Sequence, residues 1–228
     1  MRIDYFSVRL DQDASGQMLF AGSGPEREET ELIPTLFGPG DRVLVAGNCM
    51  GWTSAWLVVN GASIVALEPN PYMARLVEDH LLIDGKPMPV MCAAVGARDG
   101  EAFLHQEGLV YECSVSTKPS DVPVAIRGLA GLIEEFRLNA VCLDIEGGEA
   151  DLLQNTTAAD WVGINKVLIE IHVNLIGGAG AKAVHDAILR LGFVEIESRV
   201  TYTMTEYMGN IPTNEVRLWN KVYRRSPQ

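Results

Sequence analysis

Five acidic residues and one histidine stand out by type and spacing. Glu68 closes an apolar run, SIVALE, about twenty residues after Gly47. Asp144, Glu146 and Glu149 follow a second apolar run in LDIEGGE, and Glu170 and His172 end a third in VLIEIH. A carboxylate placed like Glu68 can accept hydrogen bonds from both hydroxyls of a ribose. Asp144 and Glu146 can remove a proton from an acceptor, bind acceptor hydroxyls, or join Glu170 or His172 in holding a divalent ion. An oxygen-rich set of this kind favours Mg2+ over zinc. His172 is the first candidate for a general base, since imidazole titrates near neutral pH, and it faces the same side of its strand as Glu170. Glu146 and Glu149 also read as caps of the helix EADLLQ, where carboxylates meet the positive end of the dipole, and this is the favoured reading for Glu149. His80, His105 and His185 sit in helix or edge contexts and are not candidates.

These side chains need a frame to hold them. RVLVAG is a continuous apolar strand that runs into Gly47, Asn48 and Gly51 and then a short helix, TSAWLVVN, stopped by Gly61. SIVALE and VMCAAVG read as two more strands, and NAVCLDIE and KVLIEIH as a further two. Between them, NPYMARLVEDHLLIDG opens with Asn70 as N-cap and Pro71 in the first turn, and is expected to run as a helix to Gly85. IRGLAGLIEEF and AKAVHDAILRLG complete the helices. FVEIESR and EVRLWNKVY alternate and suit a terminal antiparallel strand pair. Near-continuous apolar strands separated by helices imply a mostly parallel sheet with helices on both faces. Residues 1–40 form a lead-in with one acidic helix, roughly Pro25 to Phe37, which Pro34 should disturb; residues 41–228 form the main domain, in a single-domain chain. Residues 107–126 hold no clear helix and are the best candidate for a substrate-side loop.

In such a sheet, ligands bind beyond the carboxyl ends of the strands, where the strand order switches. Gly47 and Gly51 let the backbone approach a ligand closely there. The spacing is neither the G-x-G-x-x-G of dinucleotide binders nor a P-loop, which disfavours a nicotinamide-dependent dehydrogenase. The formal net charge of −12 over 228 residues argues against a large nucleic-acid footprint. The four cysteines form no CxxC pair; Cys92 and Cys142 sit in apolar runs and read as buried thiols in a reducing cytoplasm. No segment has the ~18 apolar residues of a membrane span.

GWTSAWLVVNGASIVALEPNP, CAAVGARDGEAFL, LDIEGGEADLLQ and VLIEIH, in this order and spacing, resemble the FkbM-type S-adenosylmethionine-dependent methyltransferases from about Asp41 to His172. The resemblance implies a class I methyltransferase fold, a Rossmann-like seven-stranded sheet with its last strand antiparallel. It implies methyl transfer from S-adenosylmethionine to a hydroxyl of a small molecule, sugar or polyketide. Residue by residue, Gly47 and Gly51 match the glycines at the amino-acid end of the cofactor, with Asn48 beside them, and Glu68 matches the ribose carboxylate. Ala93 and Ala94 match adenine-edge positions, Asp144, Glu146 and Glu149 the acidic motif, and Glu170 and His172 the E-x-H ending. Tyr111, Ser114 and Ser116 are expected at the acceptor. Three positions depart from the family pattern D-I-G-A-N-x-G and its acidic motif: Val45 stands where the family has Asp, Cys49 where it has Asn, and Cys142 where a lysine is common. The lost Asp makes weakened cofactor binding an expectation, and a non-catalytic binding or assembly protein on the same scaffold the alternative.

Overall fold

Alternation within the strands sends side chains to two apolar layers, and this explains the architecture of the computed structural model. The structure describes residues 3–5, 8–10, 27–106, 113–120, 122–202 and 216–225. Seven strands form the main sheet: β1 (Arg42–Ala46), β2 (Ser63–Leu67), β3 (Val90–Met91), β4 (Ala140–Leu143), β5 (Lys166–His172), β6 (Phe193–Tyr202) and β7 (Val216–Arg225). Their spatial order is β3-β2-β1-β4-β5-β7-β6. All neighbours are parallel except β7, which runs antiparallel to both β5 and β6. The chain winds outward from β1 to β3, then returns to β4 on the other side of β1. The switch point therefore lies between β1 and β4.

Leu44, Val141 and Ile169 pack on one face with α4 (Leu129–Phe136), α5 (Glu149–Gln154) and α6 (Val173–Arg190). Val43, Val45, Cys142 and Leu168 pack on the other with α1 (Arg27–Leu36) and α2 (Trp52–Val59). The sheet is covered on both faces, as its apolar strands imply. Helix α1 continues through Pro34, and the Phe37 amide still bonds the Ile33 carbonyl at 2.9 Å. Burial of Leu32, Ile33, Leu36 and Phe37 outweighs the one backbone hydrogen bond that proline removes.

Three boundaries differ from those expected. The helix beginning at Pro71, α3 (Pro71–His80), stops five residues short of Gly85. Leu81–Ile83 instead forms a strand that pairs with Ile3–Tyr5, and Asp84 and Gly85, with φ of 51° and 76°, turn it back onto Lys86–Pro87. An Asp-Gly pair with both φ positive is a hairpin turn, so local turn chemistry and tertiary pairing override the helical stripe. VMCAAVG is not one strand either. It leaves the main sheet after Met91, and Ala94–Gly96 joins a second sheet with Gly100–Gln106, Cys113–Ser116 and Pro123–Gly128. At this break Cys92 is exposed, not buried, while Cys142 is buried as expected. Within residues 107–126 the described part holds the strand Cys113–Ser116 and the start of Pro123–Gly128, and it carries no helix. Helix α6 begins earlier than expected, directly after β5, with a break at Gly177, where φ is 70° and ψ 166°.

Candidate functional site

A cavity of 860 Å³ opens at the carboxyl ends of β1, β2, β4 and β5, at the switch point. That volume lies within the usual range for small-molecule sites. The second sheet closes it from one side through Val95, Ala102, Ser114 and Ile126, and the first turn of α6 contributes Leu175 and Ile176.

The glycine loop is built by contacts within the chain. The Gly47 and Asn48 amides both bond the Leu67 carbonyl at 3.1 Å, which holds the loop against β2. Gly47 has φ of 80°, and a Cβ there would stand 1.5 Å from the Asp144 carbonyl oxygen. It is required by the approach of β4 as well as by its place on the cavity wall. Gly51, at φ 81°, is the N-cap of α2 and lies against Val77 and Leu81. Asn48 is turned away from the cavity: it is 3% exposed, and its Oδ1 accepts a hydrogen bond from the Ser54 hydroxyl. The loop folds the Asn48 side chain inward onto α2, so it is not among the residues lining the cavity.

Glu68 lines the cavity wall. Its two oxygens accept hydrogen bonds from the Cys49 amide at 2.6 Å and the Asn70 amide at 2.8 Å. A carboxylate has about four lone-pair sites, so two remain for a ligand. Burial raises the Glu68 pKa above its ordinary value; the two amides oppose the rise and the nearby charge of Glu146 adds to it. Asn70, not foreseen as a site residue, caps α3 through Oδ1 and donates from Nδ2 to Cys113 Sγ at 3.4 Å, tying α3 to the second sheet. Its N-cap pattern in the sequence was the available signal. Ala93, Ala94 and Ser114 line the cavity, whereas Tyr111 lies outside the described residues.

The acidic group gathers around one imidazole. His172 Nε2 lies 3.2 Å from Glu146 Oε2 and 3.5 Å from both Asp144 Oδ1 and Glu170 Oε1. Those three carboxylates line the cavity; His172, 3% exposed, sits behind them. Its Nδ1 donates to Glu149 Oε1 at 2.8 Å, and the same oxygen accepts the Gly147 amide at 3.3 Å. Glu149 stands in the first turn of α5, as expected of an acid at the helix start, but makes no side-chain cap bond to the helix; it is fully buried, and its carboxylate holds the histidine. The bond places the proton on Nδ1 and leaves Nε2 as the exchanging atom. Burial, the largest influence, disfavours the imidazolium. The Glu149 hydrogen bond and the charges of Glu149, Glu146 and Glu170 together outweigh it, and the pKa of His172 rises. Glu146 and Gly147 turn the chain here, with φ of 49° and 90°. A left-handed Glu costs about 1–2 kcal/mol, the kind of strain that collects at functional sites.

Val45 does not line the cavity. Its side chain is 1% exposed within the apolar layer beneath α1 and α2. The missing Asp therefore removes no contact to a ligand in the cavity.

No family model matches the chain, and no curated protein matches it significantly. Solved structures do match. An rRNA methylase from Streptococcus thermophilus is similar at a TM-score of 0.50 and 10% identity, over 89% of this chain and 97% of that one. A SAM-dependent O-methyltransferase from Thermotoga maritima is similar at 0.50 and 12% identity, over 92% and 68%. A precorrin-6y C5,15-methyltransferase from Geobacter metallireducens is similar at 0.50 and 9% identity, over 94% and 95%. The chain has the class I methyltransferase fold. At these identities the likeness is one of fold, and the acceptors named for these proteins differ among themselves. In a class I methyltransferase fold, Glu68 stands at the end of the second strand, and Asp144 and Glu170 at the fourth and fifth. Among the described residues, no helix is long and apolar enough to cross a membrane.

Proposed function

We propose that this chain is an S-adenosylmethionine-dependent O-methyltransferase of the FkbM type, acting in the cytoplasm on a hydroxyl of a small molecule, sugar or polyketide-like acceptor. The single observation that carries this reading is continuity: one cavity runs from Glu68 to the carboxylates packed on His172. A methyl donor and an acceptor can then share it.

Glu68 holds the ribose hydroxyls with its two remaining lone-pair sites, while Gly47 offers backbone without a side chain at the amino-acid end. Ala93 and Ala94 leave room for the adenine. The bound donor supplies an electrophilic methyl group. The protein's own work is mainly alignment, which can supply ~7–11 kcal/mol of the barrier. Asp144 and Glu170 accept the hydrogen bond of the acceptor hydroxyl, and His172 stands behind them to receive the proton through that pair. This places His172 one step from the acceptor, because the carboxylates and not the imidazole face the cavity. The buried position of Val45 weighs against the alternative of a non-catalytic scaffold, which rested on the lost Asp.

One observation favours a second arrangement of the same chemistry. Single donor atoms of Asp144, Glu170 and His172 lie within 4.8 Å of one another, a spacing one divalent ion can bridge. Such an ion, Mg2+ by the predominance of oxygen donors, would lower the pKa of a bound hydroxyl.

The test is mass spectrometry of a hydroxylated acceptor library incubated with the protein and S-adenosylmethionine, with Mg2+ or with EDTA. Gain of one CH2 on oxygen, lost in Asp144→Asn, is expected. Methylation on carbon or nitrogen alone, or of RNA in preference to small acceptors, would contradict the reading. Loss of product in EDTA assigns the metal.

A further inference from the structure

Helix α6 is broken one turn after it begins. Gly177, with φ of 70° and ψ of 166°, holds a backbone conformation that is essentially glycine's alone, and it parts residues 173–176 from residues 178–190. Space does not require the glycine, because a Cβ on Gly177 would meet nothing within 4 Å. The conformation requires it. One extended residue inside a helix redirects the chain, so the first turn is released from the axis of the rest. That turn begins directly after His172 and packs on the left-handed turn at Gly147, where a Cβ would stand 3.4 Å from Leu175 Cβ and Cδ1. Gly180 makes room for its last residue: a Cβ there would stand 3.0 Å from Ile176 Cβ. So placed, Leu175 and Ile176 both line the cavity, with Ile145 from just after β4 and Leu152 from α5. Ile176 packs partly against the core, whereas Leu175 is 55% exposed. A half-exposed leucine on an outer surface is ordinary. Here a glycine-only break in a helix holds one on the wall of the reaction cavity, where contact with ligand carbon would remove it from water.

We propose that Leu175 and Ile176 determine acceptor specificity: they select a hydroxyl carried on an apolar carbon skeleton, an alkyl chain or a plain ring, which lies across this turn. This rests on the methyl-transfer reading above and narrows its substrate class. With the donor at Gly47 and Glu68, the apolar wall beside Asp144 and Glu170 falls to the acceptor. Carbon laid on Leu175 leaves water while the hydroxyl reaches the carboxylates. A free sugar carries hydroxyls around its whole ring, and those turned to Leu175 and Ile176 would lose water without gaining a partner. The wall therefore discriminates by what it fails to satisfy as well as by what it covers. Gly177 is not on the cavity wall. It is a positioning residue, which sets where the two side chains stand.

The test uses the full chain saturated with S-adenosylhomocysteine, in buffer containing Mg2+. Two pairs of probes keep their hydroxyls and differ in carbon: 1,2-propanediol with 1,2-octanediol, and methyl β-D-glucoside with phenyl β-D-glucoside. All four are titrated calorimetrically. In at least one pair the more apolar member is expected to bind about tenfold tighter or more. Leu175→Ala should cut that advantage severalfold, and Leu175→Asn, similar in size but polar, should cut it further. Gly177→Ala should cut it as well, by displacing the turn. Leu189→Ala, at a 41% exposed leucine of the same helix away from the cavity, should leave it unchanged. Near-UV circular dichroism checks the fold of each variant. Equal binding within both pairs overturns the proposal. So does an advantage that Leu175→Ala leaves intact, one that Leu189→Ala reduces equally, or no binding of any probe to a chain that binds S-adenosylhomocysteine. Failure of S-adenosylhomocysteine itself to bind counts instead against the methyl-transfer reading.

Discussion

Val45 and Cys142 are direct partners across β1 and β4, in parallel register and each 1% exposed in the same apolar layer. These are the two positions where the resembling family carries an Asp and a Lys. In this chain the two facing positions form an apolar pair. Replacing a buried ion pair by well-packed apolar residues is often neutral or stabilising, whereas a single unpaired charge costs about 3–5 kcal/mol.

Val45→Asp alone should therefore destabilise the fold by about 3–5 kcal/mol in urea unfolding. Val45→Asp with Cys142→Lys should lose less than the sum of the single variants. Additive losses would show that the two positions do not act as a pair.

The two loop glycines should behave differently. Gly47→Ala brings a Cβ to 1.5 Å from backbone oxygen and should yield no folded protein. Gly51→Ala meets only the Val77 and Leu81 side chains, at 3.1 and 3.3 Å. It should remain folded and lose about 1–2 kcal/mol to its left-handed backbone. Near-UV circular dichroism and thermal melting of both variants check this.

Cys49 holds φ of 42°, a conformation in which Asn is enriched several-fold. Cys49→Asn should raise stability by roughly 0.5 kcal/mol, since Asn tolerates the left-handed backbone better. A lower melting temperature would contradict the backbone explanation.

The strands, their burial on both faces and the antiparallel seventh strand were legible, because each of Val43–Ala46, Ala140–Leu143 and Val167–Ile169 is a run of apolar residues that only a covered sheet can bury. Glu68, Asp144 and Glu170 were legible because each ends such a run. Asn48 and Glu149 were not. Whether a polar side chain in a tight turn faces the cavity or the core depends on neighbours distant in sequence: Ser54 takes Asn48, and His172, 23 residues on, takes Glu149. The second sheet was missed because its strands are mostly half-buried and carry no continuous apolar run, as in Cys113–Ser116 and Pro123–Gly128.

His172 should leave a mark on the pH dependence of stability. Its folded-state pKa is raised, so the fold favours the imidazolium. The contribution is fully present below the unfolded value near 6.5 and is lost as pH rises through the higher folded value. Chemical denaturation of wild type from pH 6 to 9 should show a decline that His172→Gln flattens. Methyl transfer should rise over the same window, since proton acceptance needs the neutral ring.

Glu68 acts in a lower window. Ribose hydroxyls donate to its ionised form, so cofactor affinity should fall as pH drops through its raised pKa, which lies above 4.5. Titration of S-adenosylhomocysteine at descending pH, with Glu68→Gln as the pH-insensitive control, measures the effect.

Calorimetric titration of wild type and Glu68→Ala with S-adenosylmethionine and S-adenosylhomocysteine is the most direct measurement. The expected result is micromolar binding at one site in wild type despite Val45, weakened about ten- to a hundredfold or more in Glu68→Ala with the fold intact. No binding up to millimolar ligand on folded wild-type protein, or equal affinity in Glu68→Ala, would contradict the assignment of this cavity to the methyl donor.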